Sequence, residues 1–462
     1  MFTTVEIAEV TGGKLLGGSV TVTGVSTDTR TIAPGMLFVA IRGESFNGND
    51  YIGAAAEKGA AAAISDRSSG ADGYSIPVIL VEDSRTAQLA LARYHRERFP
   101  LKLVGVTGSV GKTSTKDMVY AVLSEKYTTL KTEGNFNNDI GLPRTLFRLN
   151  ESYGAAVIEM GMSGLGEISV LSKAAAPDIC IITNIGWCHI ENLKTRENIL
   201  KAKLEILDGA SAEAPLILNG DDPFQRNAEI KDRKALYYGI ADERADYRAV
   251  NIKNLEMGMS FDVQHDGTVT PVVLHCFGQH NILYALAAFA AGKLIGMTDK
   301  EVTDGIARYR TSGIRQNLVS YGGVRLYLDC YNASVESMQS ALTTVSAIPV
   351  NGQGRRIAVL ADIKEGGADV VEYHRQVGRA AAASQFNALF CYGDDARYIA
   401  EEARANAALD VHYFPTKAEL TDALRAYIRE QDLLLFKGSH SMELEDVVDK
   451  LFGTWYHEEF ER

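Results

Sequence analysis

From Leu101 onward, short apolar runs alternate with stretches whose apolar positions return every three or four residues. LKLVGV is followed by TSTKDMVYAVLSEK, AAVIEM by LGEISVLSKAA, and DICIITNIG by RENILKAKLEILDG, before a further run, APLILNGDD. Short apolar runs read as buried strands and the longer period as helix, so the pattern predicts a largely parallel sheet with helices on its faces. Between Asp246 and Phe277 the pattern shortens to MSFDVQ and VTPVVLHCF around the His265-Asp266-Gly267 turn, which predicts a small β insertion or an antiparallel edge. The apolar stretch from Ile282 to Met297 is interrupted by Lys293 and is shorter than the ~20 residues a bilayer requires; it reads as a buried helix.

After Arg315 a second α/β series runs through VRLYLDC, RRIAVLADI, ALFCYG, VHYF and DLLLFKG, each followed by a helical stretch. The first hundred residues carry shorter strands (VTVTGVS, MLFVAI, AAAAIS, PVILV) and end in a helix from Ser84 to about Phe99. The expected architecture is α/β with three domains divided near Pro100 and Ser312: a small N-terminal α/β domain over 1–99, a central domain with a mostly parallel sheet over 100–312, and a Rossmann-like doubly wound domain over 313–462.

Composition acts mainly by exclusion. A chain of 462 residues, 46% hydrophobic and 23% charged, is ordinary for a soluble protein of about three domains. The formal charge of −12 repels phosphate backbones, so no nucleic-acid partner is expected, and any anionic nucleotide must be met by local cations and backbone amides. The five cysteines lie far apart with no CxxC pair, which suggests neither a zinc cluster nor a disulfide framework and fits a reducing cytoplasm. MFTTVEIAEV lacks a secretory pattern, and no exposed apolar helix demands a partner, so a cytoplasmic monomer is expected.

GVTGSVGKTS, residues 105–114, places a glycine-bearing turn between an expected strand and an expected helix, where helix amides point outward and anions bind. Val106 stands where the usual phosphate loop has its first glycine, so this is a shorter form. Gly108, Ser109, Val110, Gly111, Lys112, Thr113 and Ser114 form the candidate cradle: the glycines let backbone N–H groups approach a polyphosphate, Lys112 adds a point charge, and the Thr113 hydroxyl can ligate Mg²⁺.

TGSVGKTS followed by EGNFNNDIGLP, then VIEMG, NIGWCHIENL, KAKLEI, GQHN, SGIRQN and LDCYNAS, resembles the Mur ligases of peptidoglycan precursor synthesis, in that family's order and over nearly the whole chain. STDTRTIAPGMLFVAIRGESFNGNDYI is similar to the uridine-nucleotide-binding domain of the two later ligases, and YNASVESM resembles the last of them. No Asp-Asn-Pro-Arg motif for a diamino acid is present, and folylpolyglutamate synthetases share the short loop but lack such an N-terminal domain. The resemblance implies an ATP-dependent ligase that phosphorylates the terminal carboxylate of UDP-N-acetylmuramoyl-tripeptide and passes the acyl phosphate to the amine of D-alanyl-D-alanine, with ATP at the seam of the second and third domains. Alternatives are a Mur-type ligase for another amino acid or acceptor, and a nucleotide-binding protein without catalysis.

The resemblance also assigns roles. Glu159 is the expected Mg²⁺ ligand, although a strand-end carboxylate by itself reads equally as a helix cap. His189 resembles the family's metal-binding histidine, where a lone histidine is more often structural. Lys201 and Lys203 would ordinarily be solvated, but Lys203 matches the family lysine that takes up CO₂ as a carbamate and becomes an anionic ligand for a second Mg²⁺. Asn138 resembles a γ-phosphate contact or forms an Asx turn; Asn281 is assigned to adenine, Arg315 to a contact with the nucleotide, and Asp329 with Tyr331 to the ribose and phosphate region. His280, beside Asn281, is expected to cap its helix. Ser26, Thr27, Asp28, Arg30, Arg42 and Gly43 are the candidates for the UDP-sugar, against the alternative of surface ion pairs beside turns. Three positions depart from the family pattern: Tyr284 for asparagine, Val335 for proline after YNAS, and His440 for arginine in KGSHS.

Overall fold

The computed structural model describes residues 1–43, 45–70, 73–230, 233–255, 258–311, 314–350, 352–364, 367–405 and 408–454. The domain boundary expected at 312–313 falls outside these. By contacts, the chain gathers into two compact units, 1–238 with 287–302, and 239–286 with 303–462.

Within the first unit, six parallel strands of the central sheet run in the order Ala235–Gly239, Leu216–Asn219, Ile179–Ile182, Lys102–Thr107, Ala155–Glu159, Thr129–Lys131. The chain leaves Lys102–Thr107 toward one edge and returns on its other side at Ile179–Ile182, so Lys102–Thr107 is the topological switch point where α/β sheets bind ligands. Register aligns the strand ends: Glu159 sits opposite Val106, and Ile182 opposite Thr107. These strands are near-continuous apolar runs because helices cover both faces of the sheet, and Ala155 through Ile158 and Cys180 through Ile182 are wholly buried. Each such Val or Ile stabilises the fold by about 1.5–3 kcal/mol relative to exposure.

The N-terminal sheet is parallel from Val25–Ser26 through Leu37–Val39 and Ala62–Ser65 to Val78–Leu80, with Lys14–Leu16 antiparallel at its edge. VTVTGVS, expected as one strand, divides at Gly24 into Thr21–Val22 and Val25–Ser26; the first pairs with Phe2–Thr3. The predicted helix is present as Ser84–Glu97, its N-terminus capped by Asp83. From it the largely buried Arg96 donates to the Ala175 carbonyl and the Asp178 carboxylate, which also accepts from Leu103 N–H. One apolar core runs from Phe2 to Leu218, so the N-terminal and central sheets share their packing.

The second unit contains the three-stranded antiparallel meander Tyr247–Leu255, Gly258–His265 and Thr268–Leu274. Its turn at Asp266 and Gly267 has positive φ at both residues, as a two-residue hairpin turn requires. The C-terminal sheet orders Asn317–Tyr321, Val324–Asp329, Leu433–Lys437, Arg356–Ala361, Ala388–Tyr392 and Asp410–Phe414, parallel except for the first hairpin. Helix Gln279–Leu294 carries the apolar stretch and is buried from Ala285 to Ala291, and no described helix is long and apolar enough to cross a membrane.

Ile181 lies between Val106 and Ile217 and is fully buried. Ile181→Ala is expected to lower unfolding free energy by roughly 2–5 kcal/mol, measured by denaturant titration; a loss below ~1 kcal/mol would contradict this packing.

Candidate functional site

The phosphate-loop candidates sit at the carboxyl end of the switch strand. Gly108 has φ +148°, and a Cβ there would lie 1.9 Å from Thr183 Oγ1, so only glycine allows this approach. Gly111, at φ 82°, opens helix Lys112–Leu123. The loop is braced from the end of the neighbouring strand. Thr183 Oγ1 donates to the Val110 carbonyl at 2.6 Å, and Val110 N–H donates to Asn184 Oδ1 at 2.8 Å. Ser109 N–H donates to the Asn184 carbonyl at 3.1 Å, and Gly186 N–H donates to Ser109 Oγ at 2.9 Å. The buried Asp222 carboxylate accepts Ile185 N–H at 2.6 Å and fixes the brace in turn. Lys112 Nζ donates to the Gly108 and Ser109 carbonyls at 2.9 and 3.2 Å, which puts its charge over the loop, while Thr113 and Ser114 are half-buried in the first helical turn. A charged loop at a helix start whose amides have no partner within the helix is suited to a polyphosphate.

Glu159 is 2% exposed at the end of its strand. Its N–H donates to Thr132 Oγ1, and Oε1 accepts Asn137 Nδ2 at 2.8 Å, while Oε2 is buried without a hydrogen-bond partner. An orphaned buried carboxylate oxygen is costly unless a cation meets it. Among the described residues no group of three or more His, Cys, Asp or Glu could hold a metal alone. One carboxylate and a hydroxyl, completed by substrate phosphates, nevertheless suit Mg²⁺.

Asn138, expected at the γ-phosphate, is exposed and its Oδ1 accepts from Ile140 and Gly141 N–H, which makes it the Asx cap of the turn. The neighbouring Asn137 meets Glu159 instead. The asparagine-rich turn was visible in the sequence, but not which amide points inward. Thr183, Asn184 and Asp222 were also missed; their signal is polar residues just beyond parallel strands at a switch point.

Lys203, on helix Arg196–Leu204, is 1% exposed, whereas Lys201 is exposed, so the solvated alternative does not hold for Lys203. Burial, and secondarily the Lys112 charge, hold its ammonium well below the usual lysine range. A neutral amine there is a nucleophile. His189 is exposed, with its backbone in the left-handed region at φ 60°. For a non-glycine residue that conformation is uncommon outside turns and functional sites.

The N-terminal candidates occupy the carboxyl ends of parallel strands. Ser26 Oγ bonds Asp28 N–H and the Asp28 carbonyl, closing the turn that contains Thr27. Asp28 and Arg30 pair side chain to side chain, Nε reaching both carboxylate oxygens and one terminal nitrogen reaching Oδ2; Arg30 draws the Asp28 carboxyl down to about 2, although the Arg30 side chain is 86% exposed. That is the surface pair foreseen as the alternative. Arg42 donates to the Asp66 carboxylate at 2.9 Å, and Gly43 N–H closes a tight turn onto the Phe46 carbonyl.

In the second unit, Arg315 lies 3.3 Å above the ring of Tyr331, and the Tyr331 ring stacks on His440 with centroids 5.6 Å apart. Asp329 forms a buried ion pair with Lys437 at 2.6 Å. Arg315, Tyr331 and His440 therefore form one stack, while Asp329 is engaged by Lys437. Asn281 is fully buried: Nδ2 donates to the Phe277 carbonyl, and Oδ1 has no partner. His280 does not cap its helix; its nitrogens meet Gln316 Oε1 and Ser340 Oγ, and burial lowers its basicity. Tyr284 packs edge-on against His280, filling with an apolar ring the place of the expected asparagine amide. Val335 is the first residue of helix Val335–Ala347 after the Ser334 cap, where proline and valine are both accommodated.

Three family regions match in order: "Mur ligase family, catalytic domain" over 21–96, "Mur ligase middle domain" over 106–292, and "Mur ligase, glutamate ligase domain" over 314–440. The UDP-N-acetylmuramoyl-tripeptide–D-alanyl-D-alanine ligase of Bacillus subtilis is 37% identical, covering 97% of this chain and 98% of its own. Its Escherichia coli counterpart is 34% identical over 96% and 97%. A crystal structure of MurF from Acinetobacter baumannii superimposes with a TM-score of 0.88 at 28% identity, covering 97% and 98%. MurF from Thermotoga maritima in complex with ADP gives 0.83 at 27%, covering 93% and 96%. With relatives above 30% identity along nearly its whole length, the chain belongs to the Mur ligase family.

Proposed function

We propose that this chain uses ATP to join D-alanyl-D-alanine to UDP-N-acetylmuramoyl-tripeptide, an amide-forming step in peptidoglycan precursor synthesis. The observation that carries it is the phosphate loop at the switch strand beside Glu159, whose free buried oxygen calls for a cation. The two relatives named for this ligation, similar over nearly the full chain, support the choice of substrates.

A carboxylate resists attack by an amine until it carries a leaving group, which the γ-phosphoryl of ATP supplies as an acyl phosphate. With Gly108, Ser109 and Val110 shaping the loop, the helix-start amides of Gly111 to Ser114 and the Lys112 ammonium are assigned to hold the phosphates and draw charge from the transferring group. Magnesium, when bound, would neutralise phosphate charge and polarise the reacting phosphoryl oxygens. Glu159 and Thr113 are assigned to hold one ion, with Asn137 orienting Glu159 and the Asn138 cap shaping the turn. His189 and a carbamate on Lys203 are assigned to a second. The depressed Lys203 supports this, because only the neutral amine attacks CO₂. Asn281 is assigned to adenine, Arg315 to the nucleotide, Asp329 and Tyr331 to its ribose and phosphate region, and the Ser26–Arg30 and Arg42–Gly43 turns to the UDP-sugar. We divide the chain into domains at 1–99, 100–312 and 313–462 and place the reaction in the cytoplasm, by a monomer.

Phosphate release from ATP should require both peptide substrates; steady release with one omitted, or only with a different amino acid, would overturn the substrate assignment. Lys203→Ala should lower turnover roughly 100-fold or more, and short carboxylic acids such as formate should restore part of it. Labelled ¹³CO₂ should give a carbamate signal at neutral pH that fades as pH falls through the depressed Lys203 pKa, where the amine protonates. An unmodified Lys203 in a metal-loaded crystal would refute the carbamate.

A further inference from the structure

Arg85, in the first turn of helix Ser84–Glu97, makes two contacts with one guanidinium. One nitrogen donates to Asp139 Oδ2 at 2.7 Å, and the other to the backbone carbonyl of Arg42 at 3.0 Å. Each acceptor belongs to a turn already tied down elsewhere. Arg42 holds Asp66 through its own side chain, and Asp66 also accepts from Asn49 at 2.7 Å. Asp139 lies in the Asn-rich turn in which Asn138 caps Gly141 N–H, Asn137 donates to Glu159, and the Asn137 carbonyl accepts Gly161 N–H at 2.8 Å. A short path therefore runs from the Arg42–Gly43 turn through the two hydrogen bonds of Arg85 to Asp139, along the backbone to Asn137, and by its amide to the carboxylate of Glu159.

We propose that Arg85 is a positioning residue that couples the turn assigned to the nucleotide sugar to the turn that orients Glu159, so that filling the first strengthens cation binding at the second. This rests on the functional reading above, in which Arg42 and Gly43 meet the UDP-sugar and Glu159 a magnesium ion. The planar fork of arginine satisfies two acceptors in fixed directions, which a lysine ammonium does not reproduce. The side chains of Arg85 and Asp139 are 37% and 32% exposed, so the pair adds little to stability and its effect lies in geometry. Loss of the link should accordingly appear in binding and turnover while leaving the melting temperature nearly in place.

The test uses the full chain and the variants R85Q, R85K, D139N and R85Q/D139N. Mn²⁺ serves as a paramagnetic probe, titrated with a non-hydrolysable ATP analogue with and without UDP-N-acetylmuramoyl-tripeptide. In the unaltered protein the tripeptide should tighten Mn²⁺ binding by about fivefold or more. R85Q and D139N should each abolish most of that gain and lower kcat by about tenfold, with Tm within roughly 3 °C. The double variant should be no worse than the poorer single one, since both cut the same link, and R85K should recover only part. The proposal falls if the tripeptide has no effect on Mn²⁺ in the unaltered protein, if R85Q retains the full gain, if the two losses multiply, or if kcat falls only in step with Tm. A protein that shows the coupling yet releases no phosphate with both peptides would instead sink the ligase reading and leave Arg85 in its role.

Discussion

Parallel register at the centre of the first unit is the constraint from which the site follows. Because Ala155–Glu159, Lys102–Thr107 and Ile179–Ile182 all run the same way, their carboxyl ends deliver a carboxylate, a glycine loop and a threonine to one edge. The apolar bodies of these strands keep that edge rigid, and the polar residues beyond them are left to bond one another or a ligand. For a chain with net charge −12, helix-end amides and one or two well-placed cations are a way to meet a triphosphate without a broadly basic surface.

Much of this was legible in the order of residues. Alternating apolar runs announced the two parallel sheets, and the His265-Asp266-Gly267 turn announced the antiparallel pair Gly258–His265 and Thr268–Leu274, though not the third strand Tyr247–Leu255, because period and turn chemistry are local properties. The broken strand at Gly24 shows the limit: β-rich composition on both sides of a glycine does not say whether pairing continues across it. Equally invisible was the shared core of the N-terminal and central sheets, since Arg96 and Asp178 are far apart in sequence and meet only once both lobes have formed.

For the site, residue type and spacing pointed to the loop at the end of its strand, whereas Arg315 and Tyr331 were assigned by the resemblance alone, and their ring contact was not foreseen. Orientation was beyond reach. Asn137 and Asn138 are chemically identical neighbours, and which of them faces Glu159 is decided by the Asx turn that Asn138 closes. Lys203 sits on a helix whose alternation gave no hint that its long side chain would be enclosed, because enclosure comes from elements distant in the chain. The three departures from the family pattern also differ in kind: Val335 leaves its helix cap intact, Tyr284 replaces an amide by a packed ring, and His440 keeps planarity by stacking where arginine's fork is lost.

The common core from Phe2 to Leu218 gives the first two lobes a joint fate. Melting the small sheet alone would strip helix Ser84–Glu97 from its neighbours and leave the Asp178 carboxylate without the guanidinium that answers it. Two lobes that follow one another along the chain are thus expected to melt, in thermodynamic terms, as a single cooperative block, and a cleavage or truncation between them to sever a folding unit rather than a tether.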